Sequence, residues 1–557
     1  MKRLLALAAV LLSVSQFSIA QHEIPDVDVR GFKGVKSIMD DATGDVLAYY
    51  VYFKTNSGMK VMLMDTELQV TSETVLPLAT GEIGEAIYNG TSICFVSYMA
   101  GSAQIYTLSL GGEVIGSKSL AYNSTGEVLV FSSPLDGEYY LVASRRNGKK
   151  SVGYAVIKLR ENLEVSWEKE YIPEKGFLTV EAAQSGFDRI AVVQTITSKP
   201  KGSKKEDTQL ICFDAVNGDQ LFVTPLFDEL ITSKPSQMLI DEDGVITTAG
   251  EYYAGNSTSN TNSDGVYISR LDASGVEIQR NYLTWEEGVQ KQMKRGSFSA
   301  MGKNKVMFHD MIRSDDGGFQ LIGETFSKKV TLGETNKLAF VAAVAGYDKL
   351  ADGLNTMGDI VNLKNFAIAV ESGRYVGNPS DAVAPTIMTV QDILVMDFDQ
   401  ELSLEAVTKI DKNYTQVYAY PPYRYTAGLR LSKMVASAGF FDFGFTKSNY
   451  DTGEQILVYS SINSKKPHIG ISNIEKGADV APKQLMLASL SQYATDDEEG
   501  EENEEIDSEE KDKEKKADKD ISNAGVTRAN QGQVLVYYIA KGNNDSTGTL
   551  NMWYESL

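Results

Sequence analysis

The apolar positions of this chain form short strands rather than helices. Runs of alternating or continuous apolar residues, such as TGDVLAYYVYF from Thr43 and DGVITTAGEYY from Asp243, each follow a turn of Gly, Asn or Asp. A period of two indicates a strand that buries one face, and these turn residues tolerate the positive φ that tight hairpins need. The pattern therefore predicts an all-β protein.

One unit of this pattern recurs along the chain. The turn glycines Gly44, Gly90 and Gly137 are 46 and 47 residues apart, and a four-stranded propeller blade spans about 40 to 50 residues. Eight candidate units are present, so we expect residues 21–557 to form a single β-propeller of seven or eight four-stranded blades with long loop insertions. The last unit lacks its outermost strand, and we expect RGFKGVKSIM, near residue 30, to close the ring.

Three stretches interrupt the repeat. Residues 327–389 form an insertion within the sixth unit, residues 412–430 are rich in Tyr and Pro, and residues 496–520 are strongly acidic. The acidic run carries 15 acidic and 5 lysine side chains, nearly half of the net charge of −22. Like charges and the lack of apolar residues predict a disordered, solvated insertion, although a tail that attracts cations is an alternative.

The N-terminus has the pattern of a secretory signal peptide. Two basic residues precede an apolar run from Leu4 to Val14, and small residues end at Ala20. The run is shorter than the roughly 20 residues of a membrane span. We therefore expect residues 1–20 to be a cleaved signal peptide, and the mature chain to be exported to the periplasm or the cell exterior with no membrane span.

Two motifs carry a resemblance to a known group of proteins. The stretch DGGFQLIGET followed by DILVMDFD, and the turns DASGVEIQ and ENLEVSW, resemble the blade repeats of exported, Bacteroidetes-like β-propeller proteins of uncharacterised function. The tryptophan that ends such repeats is present once, as Trp167. The resemblance implies a fold and a compartment, and it carries over no catalytic residue.

Motifs for catalysis, metals and cofactors are missing from the sequence. His22, His309 and His468 lie in no H-x-x-x-H arrangement, and the chain has no G-x-S-x-G elbow and no phosphate-binding loop. Asp310 follows His309 in a strand and points to the opposite face, so it cannot orient His309 as a general base. We interpret His309 as structural or surface-exposed, and we assign no catalytic residue, metal ligand or cofactor.

Two further residue types leave alternatives open. Carboxylates at turns, such as Asp241 and Asp243 in DEDG, could bind calcium, but their spacing favours a role in capping the turns. The two cysteines, Cys94 and Cys212, could pair in an exported protein. Both lie within apolar runs, which favours buried free thiols.

One loop is a candidate binding surface. The stretch QVYAYPPYRY combines aromatic side chains with two adjacent prolines, which keep the backbone rigid. Tyrosines on a stiff loop suit the binding of sugars or protein segments, whereas the alternative is a loop that packs its own aromatics on a blade. The candidate ligand-binding residues are Tyr418, Tyr420, Tyr423, Arg424 and Tyr425.

These observations predict an exported, non-catalytic binding or scaffold module. Its partner would be a protein or a glycan at the cell envelope, and we expect a monomer. An acidic chain is unsuited to nucleic acid, whose phosphates require clustered Lys and Arg. The alternative is a carbohydrate-active enzyme, of the glycoside hydrolase or lyase type, whose carboxylates come from several blades.

Overall fold

The structure is a computed structural model of the 557-residue chain. It describes residues 22–29, 31–40, 44–55, 58–77, 82–83, 86–99, 102–121, 128–133, 137–147, 150–198, 206–226, 230–254, 263–293, 305–314, 317–330, 375–376, 386–419, 441–449, 454–461, 468–474, 476, 479–480, 483–486, 521–530, 532–541 and 546–556. The statements below concern these residues.

Eight antiparallel sheets follow one another along the chain as the blades of a β-propeller. From the inner to the outer strand, blade 1 consists of β2 (Phe32–Met39), β3 (Val46–Thr55), β4 (Gly58–Met64) and β5 (Val70–Leu76), and blade 2 of β6 (Glu82–Ile83) with β7 (Ile87–Tyr88), β8 (Ser92–Met99), β9 (Ser102–Ser109) and β10 (Val114–Ala121). Blade 3 consists of β11 (Val128–Ser133), β12 (Glu138–Asn147), β13 (Lys150–Leu159) and β14 (Val165–Tyr171), and blade 4 of β15 (Phe177–Gly186), β16 (Arg189–Thr197), β17 (Glu206–Asp214) and β18 (Gln220–Pro225).

The second half of the chain forms the other four blades and carries additional short elements. Blade 5 consists of β19 (Ile231–Ile240), β20 (Ile246–Ala254), β21 (Gly265–Leu271) and β22 (Glu277–Thr284), and blade 6 of β23 (Lys305–Arg313), β24 (Phe319–Val330), β26 (Thr386–Phe398) and β27 (Leu404–Ile410). Blade 7 consists of β29 (Phe443–Asn449), β30 (Glu454–Ser460), β31 (His468–Asn473) and β33 (Lys483–Met486), and blade 8 of β34 (Ile521–Arg528), β35 (Gln533–Lys541), β36 (Thr547–Ser556) and β1 (His22–Asp28). Short elements beside them are a π-helical turn (Trp285–Val289), a 3₁₀ turn (Gln290–Gln292), β25 (Tyr375–Val376), β28 (Thr415–Ala419) and β32 (Asp479–Val480).

The hydrophobic core lies between the blades, and it closes the ring. Each of the eight junctions between neighbouring blades contains a cluster of buried side chains drawn from both blades. At the junction of blades 8 and 1, for example, Leu535 and Ile539 pack with Val35 and Val51. Alternating apolar residues bury one face of each sheet against the next blade, which is why a period of two runs through the repeat. The prediction of an all-β propeller is confirmed, with eight blades.

The strand that completes the last blade differs from the prediction. The stretch RGFKGVKSIM contains β2, which is the inner strand of blade 1 and pairs with β3. The earlier strand β1 instead pairs antiparallel with β36, with His22 opposite Met552. Both segments are short strands. Because β2 pairs with β3 as the inner strand of blade 1, the earlier segment is the one that pairs with β36. Asn530 adds a second link, because its side chain bonds to both the N–H and the carbonyl of Val46.

The two faces of the ring differ in their connections. The turns between strands 1 and 2, and between strands 3 and 4, of a blade leave from one face; examples are residues 241–245 and 399–403, and we call this the short-turn face. The DEDG turn is of this kind: Gly244 has a φ of 75°, and Asp241 accepts a hydrogen bond of 2.7 Å from the N–H of Val245. Asp241 therefore caps a turn, as its spacing suggested.

The opposite face, here the long-connection face, holds the ends of the remaining connections, because neighbouring strands are antiparallel. In blades 5 to 8 several of these connections are long, namely residues 255–264, 293–304, 331–385, 420–442 and 487–520. The described strands on either side of each connection end and begin at this face. The acidic run 496–520 lies outside the described residues, within a segment that begins and ends on this face.

Blade 6 extends beyond its neighbours at the long-connection face. Strands β24 and β26 have 12 and 13 residues, and they stay paired from Phe319 and Phe398 to Val330 and Thr386. Strand β28 pairs with the first half of β26, residues 386–390, and β27 pairs with the second half, residues 393–398. The two are separated by a short interruption at residues 411–414. The blade therefore continues as an extension of β24, β26 and β28, with the two-residue β25 paired to β28.

Two further properties follow from the described residues. Both cysteines, Cys94 and Cys212, are free and buried, which confirms the interpretation as buried thiols over a disulfide. Burial raises the pKa of both thiols above the usual value, that of Cys212 to about 12. Within the described parts of the chain, no helix is long and apolar enough to cross a membrane.

Candidate functional site

A cluster of buried charged side chains lies at the junction of blades 6 and 7. It consists of His309 on β23, Glu324 on β24, Lys412 after β27, and Asp442 directly before β29. We call it the Glu324 cluster. The side chains of Glu324 and Lys412 are 0% exposed, that of Asp442 is 2% exposed and that of His309 is 10% exposed. Charged groups are almost never fully buried unless they are paired, so this cluster stands apart from the apolar junctions.

Local irregularities of the strands bring these side chains together. His309 is an extra residue between two positions of β23 that pair regularly with β24. The register of β24 with β26 shifts directly after Glu324, and Lys412 lies in the interruption between β27 and β28. A bulge turns a side chain out of the regular alternation. The cluster thus forms at the level where the regular blade ends and its extension begins.

Glu324 is the centre of the cluster. Its Oε1 lies 3.0 Å from Nζ of Lys412, and its Oε2 lies 3.0 Å from Nε2 of His309. Oε2 also accepts hydrogen bonds of 3.0 Å from the backbone N–H groups of Asp442 and Phe443. The carboxylate of blade 6 therefore binds the backbone of blade 7 where its inner strand begins.

Asp442 is held by the same lysine from the other side. Lys412 Nζ contacts Asp442 Oδ2, and the hydroxyl of Thr415 donates to both carboxylate oxygens at 3.1 and 2.9 Å. The Ser461 hydroxyl lies 3.4 Å from Oδ2. These contacts tie the start of β28, the start of β29 and the end of β30 to one another.

Burial and charge act on the two carboxyl groups in opposite senses. For Glu324, burial acts to raise the pKa, but Lys412 and His309 outweigh it, and the pKa lies below its usual value. For Asp442, burial raises the pKa and Lys412 offsets this only in part, while the charge of Glu324 raises it further. For Lys412, burial acts to lower the pKa, yet both carboxylates raise it above its usual value. Two carboxylates facing one ammonium would leave a net negative charge in a buried site, and a higher pKa of Asp442 relieves it.

The packing around His309 points to a structural role. Its ring stacks on Phe443 with centroids 5.2 Å apart and meets the edge of Phe441 at 5.0 Å. A second histidine, His468, is fully buried, and its Nδ1 lies 3.4 Å from Nδ2 of Asn413. His309 therefore packs against Glu324 and aromatic rings, which agrees with the interpretation of His309 as a structural residue.

The arrangement holds chain segments in place. The four side chains of the cluster are at most 10% exposed, and the hydrogen bonds of Asp442 link it to Thr415 at the start of β28 and to Ser461 after β30. Among the described residues, no group of three or more His, Cys, Asp or Glu could hold a metal ion. The chemistry available is thus ion pairing and proton uptake, centred on Glu324 and Asp442.

The tyrosine loop lies mostly outside the described residues. Tyr418 is in β28, where its backbone pairs with Ile387 on one side and Tyr375 on the other. Tyr420, Tyr423, Arg424 and Tyr425 lie within residues 420–440, which the structure does not describe. Their role as ligand-binding residues stays a prediction.

Sequence reasoning missed the charged residues of the cluster. Glu324 lies in the strand FQLIGETF, where a carboxylate between apolar positions is unexpected. Blade 5 has the same signal in TTAGEYY, where the buried Glu251 accepts hydrogen bonds from Tyr253 and Ser263. A glutamate that follows Gly within a second strand could have marked Glu324. Lys412 and Asp442 carry no comparable signal, because they lie in irregular segments.

Eight closed blades around a common axis define the chain as an eight-bladed β-propeller. The particular family follows from sequence: the model of a family of unknown function, DUF6770, matches residues 114–364 and 351–472. The two matches together span more than half of the chain. The chain therefore belongs to this family. No curated protein matches it in sequence.

Solved structures with low similarity were also found. A protein of unknown function from Bacteroides caccae is 12% identical, with 65% of this chain and 94% of that chain covered and a TM-score of 0.27. Hydrazine synthase of Kuenenia stuttgartiensis is 12% identical over 60% of this chain and 83% of that chain, with a TM-score of 0.31. An uncharacterised protein from Listeria monocytogenes is 10% identical over 54% of this chain and 80% of that chain, with a TM-score of 0.30. Likenesses this weak add nothing to the function of this chain.

Proposed function

We propose that this chain is an exported binding module that contacts its partner through the long-connection face. The proposal rests on the difference between the two faces of the ring. Long connections of blades 5 to 8 begin and end on one face, whereas the other carries tight turns. Loops positioned by a rigid scaffold are where binding residues concentrate.

The Glu324 cluster also supports this proposal, because it holds residues next to the long-connection face in place. It fastens residues 412–415 and 442–443 to the body of blade 6 through buried contacts. A segment whose two ends are fixed loses less conformational entropy when it binds a partner. A binding surface above the cluster would therefore be partly preorganised.

The partner is a protein or a glycan of the cell envelope. The tyrosine loop begins in β28, which lies between β26 and β25 in the blade 6 extension, and tyrosines provide contact area at low entropic cost. Tyr423 and its neighbours are the residues we expect to touch the partner.

Binding to a glycan array and to isolated envelope components tests the proposal with the mature chain, residues 21–557. Replacing residues 335–381 by a short Gly/Ser linker, or Tyr423→Ala, should abolish binding while leaving the melting temperature nearly unchanged. The matched control is Val216→Ser, a 71% exposed aliphatic on the short-turn face, which should bind as the parent does. Binding that survives both changes on the long-connection face and is lost with Val216→Ser would place the contact on the wrong face.

Export is part of the same proposal and has its own test. Fractionation of cells that express the full chain should recover a product lacking residues 1–20 from the periplasm or the medium. A chain without residues 1–20 should stay in the cytoplasm. Recovery of the full chain, still carrying residues 1–20, from the cytoplasm would remove export from the proposal.

A carbohydrate-active enzyme is the second candidate, and one observation favours it. The pKa of Glu324 is lowered and that of Asp442 is raised, which is the division expected of a base and an acid. Both side chains are buried in the present arrangement, so a sugar cannot reach them. Release of reducing sugar from a polysaccharide panel, lost in a folded Glu324→Gln variant, would replace the binding proposal by this one.

A further inference from the structure

The inner strands of the blades have a charge balance opposite to that of the chain. The chain has 53 Lys and Arg against 75 Asp and Glu. Along the inner strands, cations outnumber acids. The cations are Lys33, Lys36, Lys234, Lys305, Arg313, Lys447 and Arg528, and the acids are Glu82, Glu181 and Asp310.

Two of these cations are neighbours that form no ion pair with a described carboxylate. Lys447 on β29 and Arg528 at the end of β34 lie at the junction of blades 7 and 8, toward the short-turn face. Lys234, by contrast, is paired with Glu181 at 3.3 Å. In the part of the chain that the structure describes, neither Lys447 nor Arg528 forms an ion pair.

The donors of Arg528 are poorly satisfied. Its Nη1 donates to the sulfur of Met39 at 3.3 Å, and its guanidinium carbon lies 5.3 Å from the centre of the Phe445 ring. Its Nε is buried and has no acceptor. A thioether sulfur is a weak acceptor, and a buried donor without a partner is unfavourable because it has lost its hydrogen bonds to water. The guanidinium is thus held beside Met39 and Phe445, while its buried Nε N–H has no acceptor among the described residues.

Lys447 is close to Arg528 and is held by backbone oxygens. Its Nζ donates to the carbonyls of Ala529 and Gln533 of blade 8. Burial and the positive charge of Arg528 lower the pKa of Lys447, whereas Asp45 acts in the opposite sense. The charge of Arg528 acts to lower the pKa of Asp310, but burial outweighs it and raises that pKa. Two like charges brought together in a half-buried site favour an anion between them.

We propose that Lys447 and Arg528 form a binding site for an oxyanion group, such as a carboxylate, sulfate or phosphate, at the axial end of the junction between blades 7 and 8. A planar guanidinium offers two parallel N–H donors to such a group, and a lysine adds a point charge. The site lies toward the face opposite the proposed partner surface, so it is independent of the proposed function.

Phosphorus NMR of inorganic phosphate tests the site in the mature chain. Phosphate at low millimolar concentration should show a broadened line with the parent protein at constant ionic strength set by chloride. Arg528→Met should remove most of the broadening, and Arg528→Lys should leave an intermediate value because it keeps the charge but not the fork. The matched control is Arg313→Met, an exposed arginine at the end of the inner strand of blade 6, which should leave the broadening unchanged.

Competition distinguishes the chemical source of the anion. Acetate that reverses the broadening at a lower concentration than sulfate would assign a carboxylate ligand, and the reverse order would assign a sulfate or phosphate ligand. No broadening with the parent protein, or equal broadening with a folded Arg528→Met variant, would overturn the site. The variant lacking residues 335–381 should keep the broadening, so this test and that of the partner surface can fail separately.

Discussion

The carboxylate of Glu324 on blade 6 accepts the backbone N–H of Asp442, where the chain enters blade 7, at 3.0 Å. Because Lys412 pairs with this carboxylate, a fully buried ion pair fastens blade 6 to blade 7, which are otherwise joined by apolar contacts. Removing one partner of a buried ion pair leaves the other uncompensated.

Glu324→Gln should therefore destabilise the protein strongly. We expect a loss of about 3 to 5 kcal/mol in the free energy of unfolding, measured in urea at neutral pH. The matched control is Glu405→Gln, which removes a surface ion pair whose partners, Glu405 and Lys476, are 40% and 51% exposed. The control should cost less than about 1 kcal/mol. Equal losses in the two variants would show that the cluster does not act as a unit.

Asp442→Asn should change the pH dependence of stability. Burial raises the pKa of Asp442 from 3.8 to about 6, so the folded state binds the proton more tightly than the unfolded state does. The contribution of this carboxyl is present at acidic pH and is lost as the pH rises through about 6. The stability of the parent relative to Asp442→Asn should fall by about 1 to 3 kcal/mol between pH 4 and pH 6. A relative stability that rises over this range would contradict the raised pKa.

Removal of residues 21–28 should open the ring. Without β1, strand β36 becomes a free edge with unpaired backbone groups, and the buried Val27 is lost. We expect a loss of about 2 to 5 kcal/mol, as for other deletions of buried aliphatic side chains, and concentration-dependent association through the new edge. Urea unfolding and analytical ultracentrifugation measure the two effects. A truncated chain that is monomeric and as stable as the parent would mean that closure does not depend on β1.

Deletion of residues 496–520 should leave the melting temperature nearly unchanged. The run carries 15 acidic and 5 lysine side chains, and such a composition cannot bury apolar surface. Differential scanning calorimetry of the deleted and full chains provides the comparison. A large fall in melting temperature would show that the run contributes to the fold.

The two thiols should be unreactive in the native protein. Cys94 and Cys212 are buried and free, and burial raises the pKa of both thiols, so little reactive thiolate forms near pH 8. Titration with a thiol reagent should detect almost no thiol in the native chain and both thiols in denaturant. Failure to detect thiols in the denatured, unreduced protein would indicate a disulfide.

The repeat made the fold readable from sequence, and its interruptions hid the site. Turn glycines such as Gly44 and Gly137 recur because tight hairpins demand positive φ, so a propeller of seven or eight blades could be predicted from local chemistry. The closing strand could not, because β1 pairs with β36 at the other end of the chain. The Glu324 cluster depends instead on contacts between residues that are distant in sequence: 118 positions separate Glu324 from Asp442. Local patterns do not encode such pairings. The stretch SDDGGFQLIGETF shows both sides, since it reads as a turn and a blade strand and yet contributes the central carboxylate.

The pairing of β1 with β36 sets the order in which the molecule can be completed. His22 finds its partner Met552 only after every intervening blade has been synthesised. Until then β1 has no sheet to join, and blade 8 lacks its outermost strand. Contacts this distant in sequence are slow to form, so we expect the final ring to be a late product of folding. Loss of the last few residues would therefore leave β1, at the beginning of the chain, without its pairing strand.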